Sequence, residues 1–208
     1  MDRQGTLTVK VEGLSVLDDI RDQFLFAPKG IEKATDRALN HALNAVRAEG
    51  VRVAREKYTA KAKSVRATIK IRRVSVNNAR GEVFFNGRVG TPAADFNISP
   101  RRAPKWKGIN PKKRKPAEGI LARYLREGSF SPVRGPHEQK SFLAPYGSKI
   151  YAWYRRSRRE GLRMLFGPSP IQALTSVDSR DRLTEHGLED FRKQLANQVK
   201  QLFRKGVA

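Results

Sequence analysis

The apolar and polar positions of the chain change their period several times, and each period predicts a different element. Residues 6–12 alternate between polar and apolar, which is typical of a half-buried strand. Residues 14–26 place apolar side chains mostly three and four apart and predict a short amphipathic helix. An alanine-rich stripe then predicts a long helix over about 29–58, just after Pro28. Gly50 inside it predicts a weak point or bend, since glycine costs about 1 kcal/mol relative to alanine.

The rest of the chain alternates strand-like runs with turns and ends in a helix. Two asparagines, Asn77 and Asn78, predict a turn between two strands, because asparagine tolerates the backbone that tight turns require. A last apolar stripe predicts a helix over about 180–204. The remaining expectations are short helices at 60–67 and 171–174, turns at 128–135 and 146–147, and strands at 67–76, 81–86, 94–98, 120–124, 141–144, 149–154 and 162–166.

This order of elements predicts an α+β fold. We expect a single domain over 1–208, in which a long N-terminal helix and a C-terminal helix pack on a mainly antiparallel β-sheet, with a long basic arm inserted at 99–119. The chain has no cysteine, which excludes disulfides and thiolate metal sites. We find no apolar run long enough for a bilayer and no signal peptide, so we expect a soluble protein made in a reducing cytoplasm, with no membrane partner.

Positive charge is concentrated in the middle of the chain. Of a net charge of +23, residues 51–175 carry 29 Lys and Arg against 7 Asp and Glu, whereas residues 1–50 carry 7 against 8. Repulsion of this size works against a compact free monomer. A polyanion, or an acidic surface of a partner, is therefore expected to neutralise it.

Two basic clusters are candidate contacts with nucleic acid or a protein partner. Four prolines interrupt the arm and predict an extended segment. Within it, Trp106 between two lysines suits stacking on a base, or equally an apolar anchor on an acidic neighbour. The arm contacts are Arg101, Arg102, Lys105, Trp106, Lys107, Lys112, Lys113, Arg114 and Lys115, and a basic hairpin tip adds Arg155, Arg156, Arg158 and Arg159.

The sequence offers no pattern typical of catalysis. His41, His137 and His186 lie in separate contexts without the spacing of a metal site, and no phosphate-binding loop is present. A two-metal nuclease, the weakest alternative, needs several carboxylates around its ions, and acids are sparse in the basic region. We therefore predict no catalytic, cofactor-binding or metal-binding residues and no enzymatic activity.

Several motifs, in a fixed order, resemble one protein family. Ala38-Leu39-Asn40 lies on the long helix, and the runs 51–58, 61–66 and 69–73 lead into the first hairpin. Asp95-Phe96 follows that hairpin, and Leu165-Phe166-Gly167-Pro168-Ser169 stands near the C-terminus. Together these resemble the phage minor tail protein Z family, which comprises tail-completion or neck proteins of tailed bacteriophages. The resemblance covers roughly 30–205, and the chain departs from the pattern at 99–140, which is longer and more basic.

The resemblance implies a structural virion protein at the head–tail junction, without catalysis or cofactors. It implies a homo-oligomeric ring, commonly sixfold, around the DNA path. The partners would be further copies of the chain, tail-terminator, tail-tube and head-completion or connector proteins, and double-stranded DNA without sequence specificity. The protein would pass through the host cytoplasm during assembly and reside in the tail or neck. Gly167, Pro168, Ser169 and Pro170 would form a rigid structural turn. The alternative is a non-specific basic nucleic-acid-binding protein, for which the charge alone is sufficient motivation.

Overall fold

The computed structural model divides the chain into two compact units. The structure describes residues 7–11, 28–74, 80–87, 90–102, 119–155, 157 and 160–206. The first unit comprises 1–54, 66–88 and 171–208, and the second comprises 55–65 and 89–170. The predicted helix at 14–26, the predicted turn at Asn77 and Asn78, and residues 103–118 of the arm lie outside the described residues. The single domain over 1–208 remains a prediction.

The first unit contains two long helices and one sheet. Its helices are α1 (Pro28–Lys57), whose last residues belong to the second unit, and α3 (Val177–Gly206). Its strands are β1 (Leu7–Val11), β2 (Ile69–Arg72) and β3 (Gly81–Phe85), which form an antiparallel sheet in the order β1-β3-β2. Phe85 of β3 lies opposite Leu7 on one side and Ile69 on the other. The N-terminal strand, the long helix and the antiparallel pairing of the two strands of the first hairpin are confirmed.

The alanine stripe of α1 faces the core of this unit. Ala38, Ala42 and Val46 are buried, because small side chains let the helix approach its neighbours closely. At Gly50 a Cβ atom would lie 2.6 Å from Cε1 of Phe85, which is shorter than any normal contact. α1 is continuous through Gly50 and approaches β3 closely there. This close approach explains why a residue without a side chain occupies the position, although glycine is unfavourable inside a helix.

Polar contacts join α3 to α1. His41 Nδ1 lies 2.7 Å from Asp190 Oδ2. Glu49 is 5% exposed and accepts hydrogen bonds from Arg52 at 2.7 Å and from Arg182 at 2.8 Å. The bonds from Arg52, followed by those from Arg182, lower the pKa of the Glu49 carboxyl against the opposing effect of burial. The helices are thus linked by a carboxylate that is charged at neutral pH.

The second unit contains two three-stranded antiparallel sheets that share a core. One sheet has the order β4-β5-β6, and the other has the order β7-β8-β9. The strands are β4 (Asn97–Ser99), β5 (Ile120–Arg123), β6 (Ser131–Val133), β7 (Ser141–Tyr146), β8 (Lys149–Arg155) and β9 (Leu162–Met164). Inward side chains of both sheets, among them Ile120, Ala122, Leu143 and Ala152, form one buried cluster. The short helix α2 (Ala62–Ala67) begins in this unit and ends in the first.

The α+β class with antiparallel strands is confirmed, and three details differ from the prediction. The described strands form three sheets instead of one. The expected strand at 94–98 is a 3-10 turn, Ala93–Asp95, followed by β4, because the Asp95 side chain is held by Ser64 and Lys61. The predicted turn at 128–135 contains β6, which pairs as an edge strand with β5 although it includes Pro132.

Candidate nucleic-acid and assembly interface

The structure describes three of the predicted basic contacts. Arg101 and Arg102 follow β4 and are exposed, and Arg155 is exposed at the end of β8. The other predicted contacts, Lys105, Trp106, Lys107, Lys112, Lys113, Arg114, Lys115, Arg156, Arg158 and Arg159, lie outside the described residues. Their roles therefore remain predictions.

The second unit contains an open cleft of about 570 Å³ with a cationic lining. Residues before α2, from β4 and its neighbours, and from the end of β5 surround it. Four of the lining side chains carry positive charge, namely Lys61, Arg101, Arg123 and Arg126. The others are Thr59, Ala94, Phe96, Asn97 and Ile98. Cations from three separated segments thus meet at one place.

Arg123 lies at the end of β5 and contributes its guanidinium to the cleft. It ends β5 opposite Asn97 of β4, and its carbonyl accepts a hydrogen bond from the Thr59 hydroxyl. Its guanidinium carbon lies 5.6 Å from the centre of the Phe130 ring, a cation–π contact. Its Nε atom is buried and has no hydrogen-bond partner among the described residues. The side chain therefore retains hydrogen-bonding capacity.

One carboxylate, Asp95, offsets part of this charge. Lys61 Nζ donates to Asp95 Oδ1 at 3.2 Å and to the Ala94 carbonyl at 3.1 Å, and Ser64 Oγ donates to Asp95 Oδ2 at 2.7 Å. No carboxylate of the described ranges forms an ion pair with any of the three cleft arginines, Arg101, Arg123 or Arg126. The cleft is therefore strongly positive.

The predicted turn at Gly167, Pro168, Ser169 and Pro170 fits closely between other parts of the second unit. Gly167 N donates to the Thr91 carbonyl at 2.8 Å. A Cβ on Gly167 would lie 2.5 Å from Cε1 of Tyr124 and 2.7 Å from Cε2 of Phe96, two rings in an edge contact. Burial also raises the pKa of the Tyr124 phenol. This close fit supports a structural role for the turn.

A half-exposed aromatic face covers one side of the β7–β8 hairpin. Its members are Phe142, Tyr146, Tyr151 and Trp153, and we call this group the aromatic face. The rings of Tyr146, Tyr151 and Trp153 lie 5.9–6.4 Å apart in edge contacts. Tyr146 is 68% exposed, whereas Leu143 and Ala152 on the opposite side of the hairpin are buried. The hairpin therefore has one apolar side in the core and another open to solvent.

The histidines do not gather into a site. His137 and His186 are exposed, and His41 contacts Asp190 across two helices. Within the described ranges, no three His, Cys, Asp or Glu side chains lie close enough together to hold a metal ion. Among the same residues, no helix has the length and apolar character needed to cross a membrane.

The cleft is a feature that sequence reasoning missed. Lys61 lies 62 residues before Arg123, and Arg126 follows three residues later, so no continuous charge cluster marked the three. The one available indication was the alternation in β5, which buries Ile120 and Ala122 and so places Arg123 on the other side. Comparisons of the chain with protein-family models, with curated proteins and with solved structures find no match.

Proposed function

We propose that this chain is a structural virion subunit, a tail-completion or neck protein at the bacteriophage head–tail junction that forms a homo-oligomeric ring around the DNA path. The aromatic face is the observation that carries the proposal. Contiguous exposed aromatic groups are rare on monomers and typical of protein interfaces, where tyrosine and tryptophan supply apolar area and a polar tip. A ring needs such a surface on every copy, because each subunit binds its neighbour head to tail.

The positions of the family-like motifs support the same proposal. The Asn40 amide of Ala38-Leu39-Asn40 binds the backbone of Val74 twice, donating to its carbonyl at 3.3 Å and accepting from its N–H at 3.0 Å. The Leu-Phe-Gly-Pro-Ser segment fits against Phe96, a member of the Asp-Phe pair. Residues that carry the resemblance therefore make specific contacts that organise the fold.

The charge distribution supports a location beside DNA. Residues 51–175 hold 29 of the 43 Lys and Arg of the chain. A ring would bring many copies of this excess together, which is unfavourable unless a polyanion lies nearby. Double-stranded DNA in the channel would supply that negative charge.

Native mass spectrometry and negative-stain imaging of the purified protein test the ring. We expect a closed oligomer, and we expect the double variant Tyr146→Ser/Trp153→Ser to shift the population toward monomer. Val177→Ser is the control, since it removes a side chain that is 69% exposed on α3 and should leave the oligomer intact. A wild type that stays monomeric at high concentration would refute the ring. A monomer that still binds duplex DNA would favour the alternative of a non-specific nucleic-acid-binding protein.

A further inference from the structure

We propose that the cationic cleft of the second unit is a binding site for the phosphodiester backbone of double-stranded DNA, with Arg101, Arg123 and Arg126 as the principal phosphate contacts. This site goes beyond the proposed ring, because subunits could assemble through the aromatic face without it. The cleft also differs from the predicted basic arm, since two of its three arginines belong to the end of β5 and the loop after it.

The first argument is electrostatic. Three arginines and Lys61 line one cleft, and the nearby carboxylate, Asp95, is already engaged by Lys61 and Ser64. Like charges at close range repel, which lowers the stability of the free protein. An anionic ligand that enters the cleft removes this repulsion and so binds favourably.

The second argument is the chemistry of the cations. A guanidinium presents its N–H groups as a planar fork that fits two oxygens of one phosphate, so arginine is preferred for phosphate recognition. Arg101 is exposed and free of ion pairs to the described carboxylates, and Arg123 keeps a buried Nε without a partner among the described residues. Arg101 therefore has donors available for a ligand, and Arg123 adds positive charge to the lining of the cleft.

The third argument is that the backbone beneath the cleft is held in place. Arg126 N donates to the Lys57 carbonyl at 3.0 Å, and its Nε donates to the Arg55 carbonyl. Asn97 N donates to Thr59 Oγ1 at 3.2 Å, which ties β4 to the segment before α2. Binding therefore requires little ordering of the protein backbone, which favours affinity.

The lining also fits a nucleotide chain better than a small free anion. The cleft is open and its volume of about 570 Å³ exceeds what a single phosphate group needs, so a polymer can lie across it. The net charge of +23 would attract a polyanion of high charge density over long range.

Fluorescence anisotropy with a short labelled DNA duplex tests the site. The test variant is Arg101→Gln/Arg123→Gln, and the control Arg37→Gln/Arg192→Gln removes the same charge from exposed positions on α1 and α3. For each lost phosphate contact, the magnitude of the negative slope of log K against log salt should fall by about 0.9, hence by about 1.8 for the test variant. We expect about tenfold or greater loss of affinity near 100 mM salt for the test variant, and a slope for the control close to wild type.

Two further variants keep the test decisive if Arg123→Gln fails to fold. Arg101→Gln alone alters an exposed side chain and should lower the magnitude of the slope by about 0.9. Arg123→Lys keeps the charge but loses the fork, and should bind between wild type and the double variant. Circular dichroism melting of every variant shows which of them are folded.

Three outcomes would overturn the proposal. Equal losses in the test and control variants would mean that DNA binds by diffuse charge alone. Binding of inorganic phosphate without binding of the duplex would make the cleft a site for a free anion. Competition by polyglutamate as strong as that by duplex of equal charge would indicate an acidic protein partner. Duplex binding and native mass are separate measurements, so failure of the ring and failure of this site are distinguishable.

Discussion

Replacement of Gly50 by alanine tests how closely α1 approaches the sheet of the first unit. The new methyl carbon would lie 2.6 Å from Cε1 and 3.1 Å from Cζ of Phe85, and 3.7 Å from Cδ1 of Leu174. Phe85 is 0% exposed, so its ring has little room to retreat. Alanine also favours the helix, and the two effects therefore oppose each other.

The sizes of these two effects decide whether Gly50→Ala stabilises or destabilises the protein. The gain in helix propensity from glycine to alanine is about 1 kcal/mol. Overpacking of a well-filled core costs typically about 1–3 kcal/mol. The contact at 2.6 Å requires a shift of most of an ångström in a buried ring, which places the cost in the upper part of that range. We expect Gly50→Ala to lower the free energy of unfolding by about 1–2 kcal/mol.

Urea unfolding followed by circular dichroism measures this free energy. Ala48→Gly, at an exposed position of the same helix, is the control and gives the propensity term by itself, about 1 kcal/mol of destabilisation. Phe85→Leu shortens the ring partner, so the double variant Gly50→Ala/Phe85→Leu should be more stable than the sum of the single effects. A Gly50→Ala protein more stable than wild type by the full propensity gain would refute the close approach.

Three further substitutions should also lower the free energy of unfolding, by amounts that the same assay can resolve. Glu49→Gln should lower the free energy of unfolding by about 1–3 kcal/mol at neutral pH. Because the folded-state pKa of Glu49 is lowered, the stabilisation by its carboxylate is present at neutral pH and is lost as the pH falls through that pKa. A difference in stability between wild type and variant that persists in acid would contradict this prediction. Asn40→Ala should lower the free energy of unfolding by about 1–3 kcal/mol, because it leaves the backbone groups of Val74 unpaired. The control is Asn44→Ala, which loses one hydrogen bond at 2.8 Å to the Asn40 carbonyl. A loss of stability in Asn40→Ala no larger than that in Asn44→Ala would argue against this role. Gly167→Ala should cost about 1–3 kcal/mol because its Cβ meets Tyr124 and Phe96; Gly161→Ala, with no described atom within 4 Å of the new Cβ, is its control, and equal melting temperatures for the two variants would refute the tight turn.

The long helices and most strands could be predicted because their patterns are local. The stripe of Ala38, Ala42 and Val46 repeats at the helical period, and that period alone defines α1. β6 was missed because Ser131 and Pro132 resemble a turn, and only the pairing with β5 makes the segment a strand. Pairing between distant segments is not visible in a local window.

The cationic cleft was missed for the same reason. Lys61, Arg101 and Arg123 are separated by 20 or more residues in sequence, and they meet only because β4 pairs with β5 and Thr59 binds the end of β5. The basic arm was visible in sequence because its charges are consecutive. Sequence reasoning thus finds charge clusters that are continuous along the chain and misses those that the fold assembles.

The amide of Asn40 has a consequence for how copies of this protein meet. Because this side chain occupies both backbone groups of Val74, those groups are unavailable to an incoming strand from another molecule. Ladder extension from copy to copy, a common route to unwanted fibres, is therefore blocked at this position just past β2.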